Sequence, residues 1–291
     1  MRKLLLQLDS SKLPSVFDRV VAYDAGADEV MSYGGITAAE VRDLVYGCIF
    51  TRGPKDLKHT AVFIGGADMA AGEQLLAAAT TAMFKPFTVS AMLDSNGSNT
   101  TAVAAVAKMR QAVGGDVRGK RVVIVAGTGP VGIRAAGLFA KAGADVCITS
   151  RKAEAGERAR DLVLKRFGGT ARAIAMPDAR EAVRACEGAE LLLNAGPAGV
   201  MLVPKQAWAN RPGLKVVADV NAVPPLGVEG VETMDDGVTK EGVVCFGALA
   251  IGNLKMKVHK ACIARLFERN DLVLDAETIA DVARELLAPR P

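Results

Sequence analysis

Short apolar runs alternate along this chain with longer Ala-rich stretches whose apolar residues recur at helical spacing. Residues 122–125 (Val-Val-Ile-Val) are apolar at every position, which is typical of parallel strands buried on both faces of a sheet. The pattern predicts strands over residues 4–8, 60–64, 88–93, 121–126, 145–149, 172–175, 190–194, 215–219 and 243–245. Helices are expected between them, among them residues 68–84, 98–113, 130–142 and 153–167. This repeated strand–helix–strand order indicates an α/β fold with parallel sheets.

The length of 291 residues is enough for two domains with their own cores. A Gly-rich, basic link follows Gly114-Gly115-Asp116 and leads into the next strand. We therefore expect an N-terminal α/β substrate domain over residues 1–116 and a Rossmann-type parallel sheet over residues 117–250. Residues 251–291 are expected to form C-terminal helices that pack across a cleft between the domains and partly onto the first.

The charge and the cysteine content exclude several classes of protein. A net charge of +4 is spread over the whole chain and only 4% of the residues are aromatic, so a nucleic-acid surface is not expected. No apolar stretch approaches the roughly 18–20 residues of a membrane span. Five widely separated cysteines and two histidines support neither a disulfide framework nor a zinc site. We expect a cytoplasmic protein that binds no metal.

The strongest motif is a complete G-x-G-x-x-G between a predicted strand and an Ala-rich helix, Gly127-Thr128-Gly129-Pro130-Val131-Gly132. That context is the one required of a dinucleotide-binding fingerprint. Gly127 is expected to permit the tight turn, Gly129 to let the backbone approach a pyrophosphate, and Gly132 to bring the helix close to the strand. The amides at the helix N-terminus would then hold the anion.

The residues after the next strand distinguish between the two nicotinamide dinucleotides. NAD sites normally carry an Asp or Glu there, which binds the ribose 2′-hydroxyl. This chain has Ser150-Arg151-Lys152 instead. Arg151 offers stacking and hydrogen bonds to a 2′-phosphate, and Lys152 adds charge. NADP is the expected cofactor; the alternative is that both cations are merely solvated at the start of a helix.

Two later strand ends are expected to complete the cofactor site, because ligands of such sheets lie beyond the carboxyl ends of the strands. They supply Asn194, Ala195, Gly196, Asp219 and Asn221. The small residues Ala195 and Gly196 would let the backbone approach a ring. For Asp219, binding the cofactor and capping a turn stay open as alternatives.

A polar loop follows the strand that ends at residue 93, and it reads Asp-Ser-Asn-Gly-Ser-Asn-Thr-Thr over residues 94–101. Capping of the next helix needs only one such residue, so several are left unexplained. We assign six of them to a polar heterocyclic substrate: Asp94, Ser95, Asn96, Asn99, Thr100 and Thr101. In the stretch Gly-Asn-Leu-Lys-Met-Lys over residues 252–257, Lys255 and Lys257 are expected at the start of a helix, where positive charge opposes the macrodipole. Unless they are simply solvated, such cations indicate a function.

With these motifs the chain resembles the bacterial NADP-dependent methylene-tetrahydromethanopterin dehydrogenases of methylotrophic one-carbon metabolism. The likeness runs through nearly the whole chain, in residues 14–18, 65–73, 94–101, 127–132, 219–226 and 246–257. The polar loop and the Gly-Asn-Leu-Lys-Met-Lys stretch are more specific to that family than the glycine motif. The resemblance implies two α/β domains with a cleft between them, assembled into a homo-oligomer, a trimer or a hexamer.

The resemblance also implies a reaction, in which a hydride passes from the methylene carbon of the reduced pterin to NADP. Some members of the family also accept methylene-tetrahydrofolate. The methylene carbon lies between two nitrogens, which stabilise the methenyl cation that remains, so neither a metal nor a covalent nucleophile is needed. Catalysis would then depend on positioning. Lys255 is the candidate that orients the substrate, with Lys257 near it, and Asp94 is a candidate anchor for the pterin.

Two other functions stay open. Another NADP-dependent dehydrogenase of shikimate-dehydrogenase architecture would reduce a carbonyl and need a proton donor, for which only the lysines are available. A catalytically silent NADP-binding sensor would retain the glycine motif and Arg151, but it would have no use for the polar loop. The fold alone does not decide among them.

Overall fold

The computed structural model describes residues 1–288. They fall into two compact units, Met1–Thr100 with the chain from Met256 onward, and Thr101–Lys255. These divisions differ from the boundaries at 116/117 and 250/251 that the sequence suggested. The reason is that helices α4 (Ser98–Ala112) and α8 (Ala248–Arg265) each begin in one unit and end in the other. The expected α/β class with parallel sheets is confirmed.

The first unit contains a five-stranded, fully parallel sheet in the order β12-β4-β3-β1-β2. Its strands are β1 Leu4–Asp9, β2 Glu29–Gly34, β3 Thr60–Gly65, β4 Ser90–Leu93 and β12 Val273–Leu274. Its helices, apart from the two shared ones, are α1 Val16–Asp24, α2 Ala38–Ile49, α3 Met69–Ala82 and α9 Ala276–Leu287. Strand β3 is buried at all six positions, so it forms the centre of this sheet and of its core.

The second unit contains a seven-stranded sheet in the order β10-β11-β9-β8-β5-β6-β7, in which only the edge strand β10 is antiparallel. Its strands are β5 Arg121–Val125, β6 Asp145–Ser150, β7 Thr170–Ala175, β8 Leu191–Asn194, β9 Val216–Asp219, β10 Asp236–Lys240 and β11 Val243–Phe246. Its helices are α5 Pro130–Lys141, α6 Ala153–Phe167 and α7 Ala182–Ala185. Without β10, the strand order is the 3-2-1-4-5-6 order of the Rossmann fold, as expected.

Local sequence explains where several helices begin. Ser15 caps α1 by accepting the Asp18 amide, and Asp68 caps α3 by accepting the amides of Ala70 and Ala71. Such caps satisfy amides that have no partner inside the helix. The nine strands predicted from the apolar pattern are all present, with ends that differ by no more than two residues. Three further strands, β2, β10 and β12, were not predicted.

Candidate active site

The glycine motif forms the turn between β5 and α5, at the point where the strand order of the second sheet reverses. The Ala126 amide donates to Thr149 Oγ1 at 3.0 Å and the Gly127 amide to the Thr149 carbonyl at 3.1 Å, so the turn is fastened to the neighbouring strand β6. The left-handed residue of the turn is Ala126, with a φ of 51°. The tight turn therefore does not depend on a left-handed conformation at Gly127.

The three glycines of the motif have different physical reasons to lack a side chain. A Cβ on Gly127 would lie 2.9 Å from the Ile148 side chain, and one on Gly132 only 2.5 Å from the Gly127 Cα. These two positions are closed by packing between helix and strand. A Cβ on Gly129 would meet nothing within 4 Å. Space is therefore open at the one glycine whose backbone was expected to approach the pyrophosphate.

Helix α5 begins in a way that suits an anionic group. Gly129 is its N-cap and offers no side-chain acceptor, and Pro130 occupies the first turn. The amides of the first turn consequently lack the side-chain partner that caps α1 and α3. Thr128, Pro130 and Val131 are only partly buried around this end of the helix. The residues present fit the pyrophosphate of a dinucleotide.

The end of β6 carries the residues that were expected to recognise the 2′-phosphate. Arg151 and Lys152 are both exposed, and Lys152 is the N-cap of α6 without a side-chain cap. Ser150 is buried, and its hydroxyl accepts the Lys152 amide at 3.3 Å. Ser150 therefore shapes the turn that follows β6. Arg151 and Lys152 are exposed to solvent at the end of this strand, which is the neighbour of β5 and its glycine turn.

The ends of β8 and β9 form a buried polar network. The Asp219 carboxylate accepts the Asn194 side chain at 2.8 Å, the Asn221 amide at 3.0 Å and the Val228 amide at 2.9 Å. Burial raises the pKa of Asp219 above its usual value, although these hydrogen bonds oppose the shift. Of the two alternatives for Asp219, the observed contacts are those of a capping residue. Asn194 and Asn221 act in the same network and hold the loop after β9.

The two small residues after β8 are also explained by packing. The Ala195 amide donates to the Val125 carbonyl at 3.0 Å, and the Gly196 amide to Asn194 Oδ1 at 3.3 Å. A Cβ on Gly196 would lie 2.5 Å from the Leu202 side chain. Leu202 therefore packs closely against Gly196, while Ala195 and Gly196 both remain partly exposed.

In the first unit, most of the polar loop is buried and bonded within itself. Asp94 accepts the Thr100 amide at 3.0 Å and the Thr100 hydroxyl at 2.6 Å, and both residues are fully buried. The Ser95 hydroxyl donates to the Gly65 carbonyl at 2.8 Å. The Asn99 side chain donates to the Leu93 carbonyl at 2.6 Å and to Asp275 at 2.9 Å. These contacts fix the end of β4, the first turn of α4 and the start of α9 relative to one another.

Two residues of the loop differ from the others in exposure. Asn96 is exposed and has a left-handed φ of 56°, and Thr101 is partly exposed. Of the six residues assigned to the substrate, these two are the ones that are not buried.

His259 of α8 is a polar residue that the sequence did not single out. It is fully buried, its Nδ1 lies 3.8 Å from Asp94 Oδ2, and its ring stacks on Phe63 at a centroid distance of 5.5 Å. A lone histidine on an apolar helix face is typical of a core residue, so no local signal could have identified this contact. It places a polar ring beside Asp94, the residue that follows β4.

The expectation that Lys255 and Lys257 lie at the start of a helix is wrong. Helix α8 begins at Ala248, so Lys255 is its eighth residue. The field of the helix dipole is confined to the first turn. Lys255 and Lys257 therefore do not oppose the dipole, and their position on the helix by itself does not indicate a function. Lys255 is partly buried and Lys257 is exposed, which is consistent with their lying on different faces of the helix.

Within residues 1–288, no three His, Cys, Asp or Glu side chains are grouped closely enough to hold a metal ion. Nor does this part of the chain contain a helix that is both long and apolar enough to cross a membrane.

Comparison with known proteins adds to this geometry. Residues 16–96 match the family model described as "Methylene-tetrahydromethanopterin dehydrogenase, N-terminal". Two proteins of Methylorubrum extorquens are similar along nearly the whole chain. "Bifunctional protein MdtA" is 48% identical over 285 residues, 98% of this chain and 99% of that protein. "NAD(P)-dependent methylenetetrahydromethanopterin dehydrogenase" is 33% identical over 297 residues, again 98% and 99% of the two chains.

Among solved structures, the fold is similar to shikimate 5-dehydrogenases. The enzyme from Listeria monocytogenes, in complex with shikimate and NAD, has a TM-score of 0.54 at 15% identity and covers 99% of this chain and 96% of that chain. The enzyme from Mycobacterium fortuitum has a TM-score of 0.51 at 16% identity, with 97% and 98% covered. At such identities the likeness shows the shared fold and nothing about the substrate.

Proposed function

The chain belongs to the methylene-tetrahydromethanopterin dehydrogenase family, and on that premise we propose that it oxidises methylene-tetrahydromethanopterin reversibly to methenyl-tetrahydromethanopterin by direct hydride transfer to NADP. The observation that carries the proposal is the turn at Gly127–Gly132, where packing closes two glycines and leaves the third facing open space. When bound, NADP supplies the nicotinamide ring that accepts the hydride.

The preference for NADP over NAD is supported by the end of β6. Arg151 and Lys152 are exposed there, and no carboxylate stands where it would repel a 2′-phosphate. A guanidinium binds a phosphate through paired, charge-assisted hydrogen bonds. Arg151 is the residue that would make this contact, and Lys152 would add to the local positive charge.

The substrate residues divide into two groups in this proposal. Asp94, Ser95, Asn99 and Thr100 hold the polar loop in place through their internal hydrogen bonds. Asn96 and Thr101 are accessible enough to contact the pterin directly. The role of Asp94 is therefore positional, and it fixes the loop on which the contacting residues lie.

Lys255 is proposed to orient the substrate and to adjust the charge near its reacting ring. Because a hydride leaves from carbon and no hydroxyl loses a proton, the reaction needs no general base. The chain's contribution is to place the reacting carbon within van der Waals distance of its acceptor, and such positioning accounts for large rate factors. Lys257 is exposed, so we give it a smaller part in orienting the substrate.

The wider context is part of the same proposal. We place the protein in the cytoplasm, in the one-carbon metabolism of a methylotroph, as a homo-oligomer of three or six chains. Methylene-tetrahydrofolate is proposed as a second substrate, because the two pterins share the ring that carries the methylene group.

The test is a spectrophotometric assay of the purified protein. Mixed with NADP and either methylene-tetrahydromethanopterin or methylene-tetrahydrofolate, it should form NADPH and the methenyl product in equal amounts. Shikimate serves as the comparison substrate for the alternative dehydrogenase. If NADPH forms with shikimate and with neither pterin, the proposed function is wrong.

A further inference from the structure

The strand order of the second sheet separates the two halves of the expected cofactor site. Strand β6 lies on one side of β5, and β8 and β9 lie on the other side. Arg151, the residue proposed to bind the 2′-phosphate of the adenosine half, directly follows β6. The nicotinamide half therefore belongs beyond the carboxyl ends of β8 and β9, since ligands of open parallel sheets bind at that edge. The loops that follow these two strands are residues 195–203 and 220–227.

The two loops are bonded to each other where they return to the body of the sheet. The amides of Leu202 and Val203 both donate to the Gly227 carbonyl at 3.0 Å. Val203 also forms a β-bridge with Val228, which directly follows the second loop. Each loop therefore limits the movement of the other, and the two together form one surface at this edge.

The buried Asn221 side chain joins the outer parts of the same two loops. Its Oδ1 accepts the Val223 amide at 2.9 Å and, over a longer distance of 3.4 Å, the Gly199 amide. Its Nδ2 donates to the Pro225 carbonyl at 3.2 Å. One side chain thus holds three points of the backbone, two in its own loop and one in the loop after β8. Loss of this side chain would loosen the outer parts of both loops while leaving the bonds of Gly227 in place.

Two valines in these outer parts are open to solvent. Val200 is 41% exposed and Val223 is 51% exposed. Val200 directly follows Gly199, and a Cβ on Gly199 would lie 3.9 Å from Val223 Cγ1. The two valines are therefore carried by backbone segments that lie against each other. Ligand sites are lined mainly by apolar side chains, so this pair suits the face of a flat ring.

We propose that Val200 and Val223 are the apolar contacts of the nicotinamide ring and that Asn221 is the positioning residue that holds them there. This inference rests on the part of the proposed function that names NADP as the cofactor. The ring is a cation in the oxidised form, NADP⁺, and is neutral in NADPH. Apolar neighbours keep water away from the ring, and loss of hydration disfavours a charged form. The two valines should therefore favour the reduced ring, which is the form that acceptance of a hydride produces.

The first test compares Val223→Asp with Val238→Asp, in which the replaced valine is 44% exposed on the edge strand β10 of the same sheet. Calorimetry gives the dissociation constants of NADP⁺ and NADPH for each protein. A carboxylate beside the ring attracts the cation and admits water, so Val223→Asp should lower the ratio of Kd for NADP⁺ to Kd for NADPH at least about tenfold. Val238→Asp should keep the wild-type ratio.

The second test separates the positioning role of Asn221 from a general structural role. Adenosine 2′,5′-bisphosphate carries the adenosine half of NADP and lacks the nicotinamide. Asn221→Ala should bind this probe with wild-type affinity, bind NADPH at least about tenfold more weakly, and turn over methylene-tetrahydrofolate about 10²-fold more slowly, because a misplaced reacting group loses rate. Asn270→Ala removes an asparagine that bonds to Thr88 in the first unit, and it should keep the wild-type affinity for NADPH. If Asn221→Ala does not fold, the ratio measured with Val223→Asp still decides the inference.

The two proposals fail differently. If wild type turns over neither pterin, the proposed function is wrong, and the binding measurements, which need no pterin, still test the inference. If wild type oxidises a pterin, this inference alone is overturned by either of two results. One is a wild-type ratio of the two dissociation constants in Val223→Asp, and the other is an equal loss of affinity for NADPH and for the bisphosphate in Asn221→Ala.

Discussion

At the scale of single residues, the glycines of the β5–α5 turn make a direct test of the cofactor site possible. Gly129→Val should abolish NADPH binding and leave the protein folded, because the added side chain meets open space in the protein and would occupy the path of the pyrophosphate. Fluorescence titration of NADPH and a melting curve measure the two effects. Gly132→Val is the contrasting variant, and it should lower the melting temperature since its Cβ would strike Gly127. Normal NADPH affinity in folded Gly129→Val would show that this turn is not the phosphate site.

A second prediction at this scale concerns cofactor selectivity. Arg151→Ala should weaken NADP binding by about 1–3 kcal/mol, the range for a lost charge-assisted hydrogen bond, and leave NAD binding nearly unchanged. Arg180→Ala is a suitable control, because this arginine is 90% exposed in the same unit and pairs with Asp178. Equal losses for NADP and NAD in the binding titration would assign a structural role to Arg151.

In the polar loop, the identity of single residues does not indicate which side chains a ligand can reach. Its sequence correctly indicates many hydrogen-bonding groups, but it does not reveal which groups are already used. Asn99 binds Asp275, a residue far along the chain, and Asp94 lies against His259. Only the folded chain brings these pairs together, so accessible Asn96 and buried Asn99 could not be distinguished beforehand.

At the scale of elements, helix α8 gives the clearest prediction. Lys255 and Lys257 are two residues apart on a continuous helix, which separates their side chains by about 200°. If Lys255 positions the substrate, Lys255→Ala should lower turnover by about 10²-fold with nearly normal NADP affinity, and Lys257→Ala should have a much smaller effect.

The pH–rate profile then tests the kind of role. The deficit of Lys255→Ala should be the same at every pH, because a hydride and not a proton is transferred. An ionisation that disappears from the profile of this variant would mean that Lys255 acts as an acid or base, contrary to our mechanism.

The strands that the sequence did not predict all lie at the edge of a sheet. Strands β2 and β12 are the two edges of the first sheet, and β10 is an edge of the second. Edge strands are exposed on more sides and can be short, so they lack the continuous apolar run of a central strand. Strand β10 is exposed at four of its five positions, whereas β3 is buried throughout. The apolar pattern therefore identified the centres of both sheets and missed edges.

At the scale of the whole molecule, the five cysteines report on the integrity of both cores. All are buried and free. Burial raises the pKa of Cys48 and Cys245 to about 11 and that of Cys186 and Cys262 to about 12, from an ordinary value of 9.0. The native protein should therefore not react with a thiol reagent at pH 8, and all five thiols should react in urea. Rapid labelling of the native protein would contradict the packing described here.

The same shifts predict the response to alkali. The folded chain keeps these thiol protons to a higher pH than the unfolded chain does, so their contribution to stability is complete below about pH 9 and declines as pH rises towards 11–12. Melting temperatures measured between pH 8 and pH 10 should fall, and Cys262→Ala should show a shallower decline than wild type. An equal decline in that variant would assign the effect to other groups.

Features that depend on neighbours in the chain could be determined from the sequence by itself. These features are the alternation of strands and helices, the glycine turn, and the absence of a carboxylate after β6. They were predicted from the period of apolar residues and from residues adjacent in sequence, neither of which requires knowledge of the fold. The tertiary structure decided the strand order, the true start of α8 and which polar side chains are used internally. It alone placed Asp18 beside Gly65 and His259 beside Asp94. Such contacts join segments that are distant in sequence, and the packing of buried strands, not local propensity, selects them.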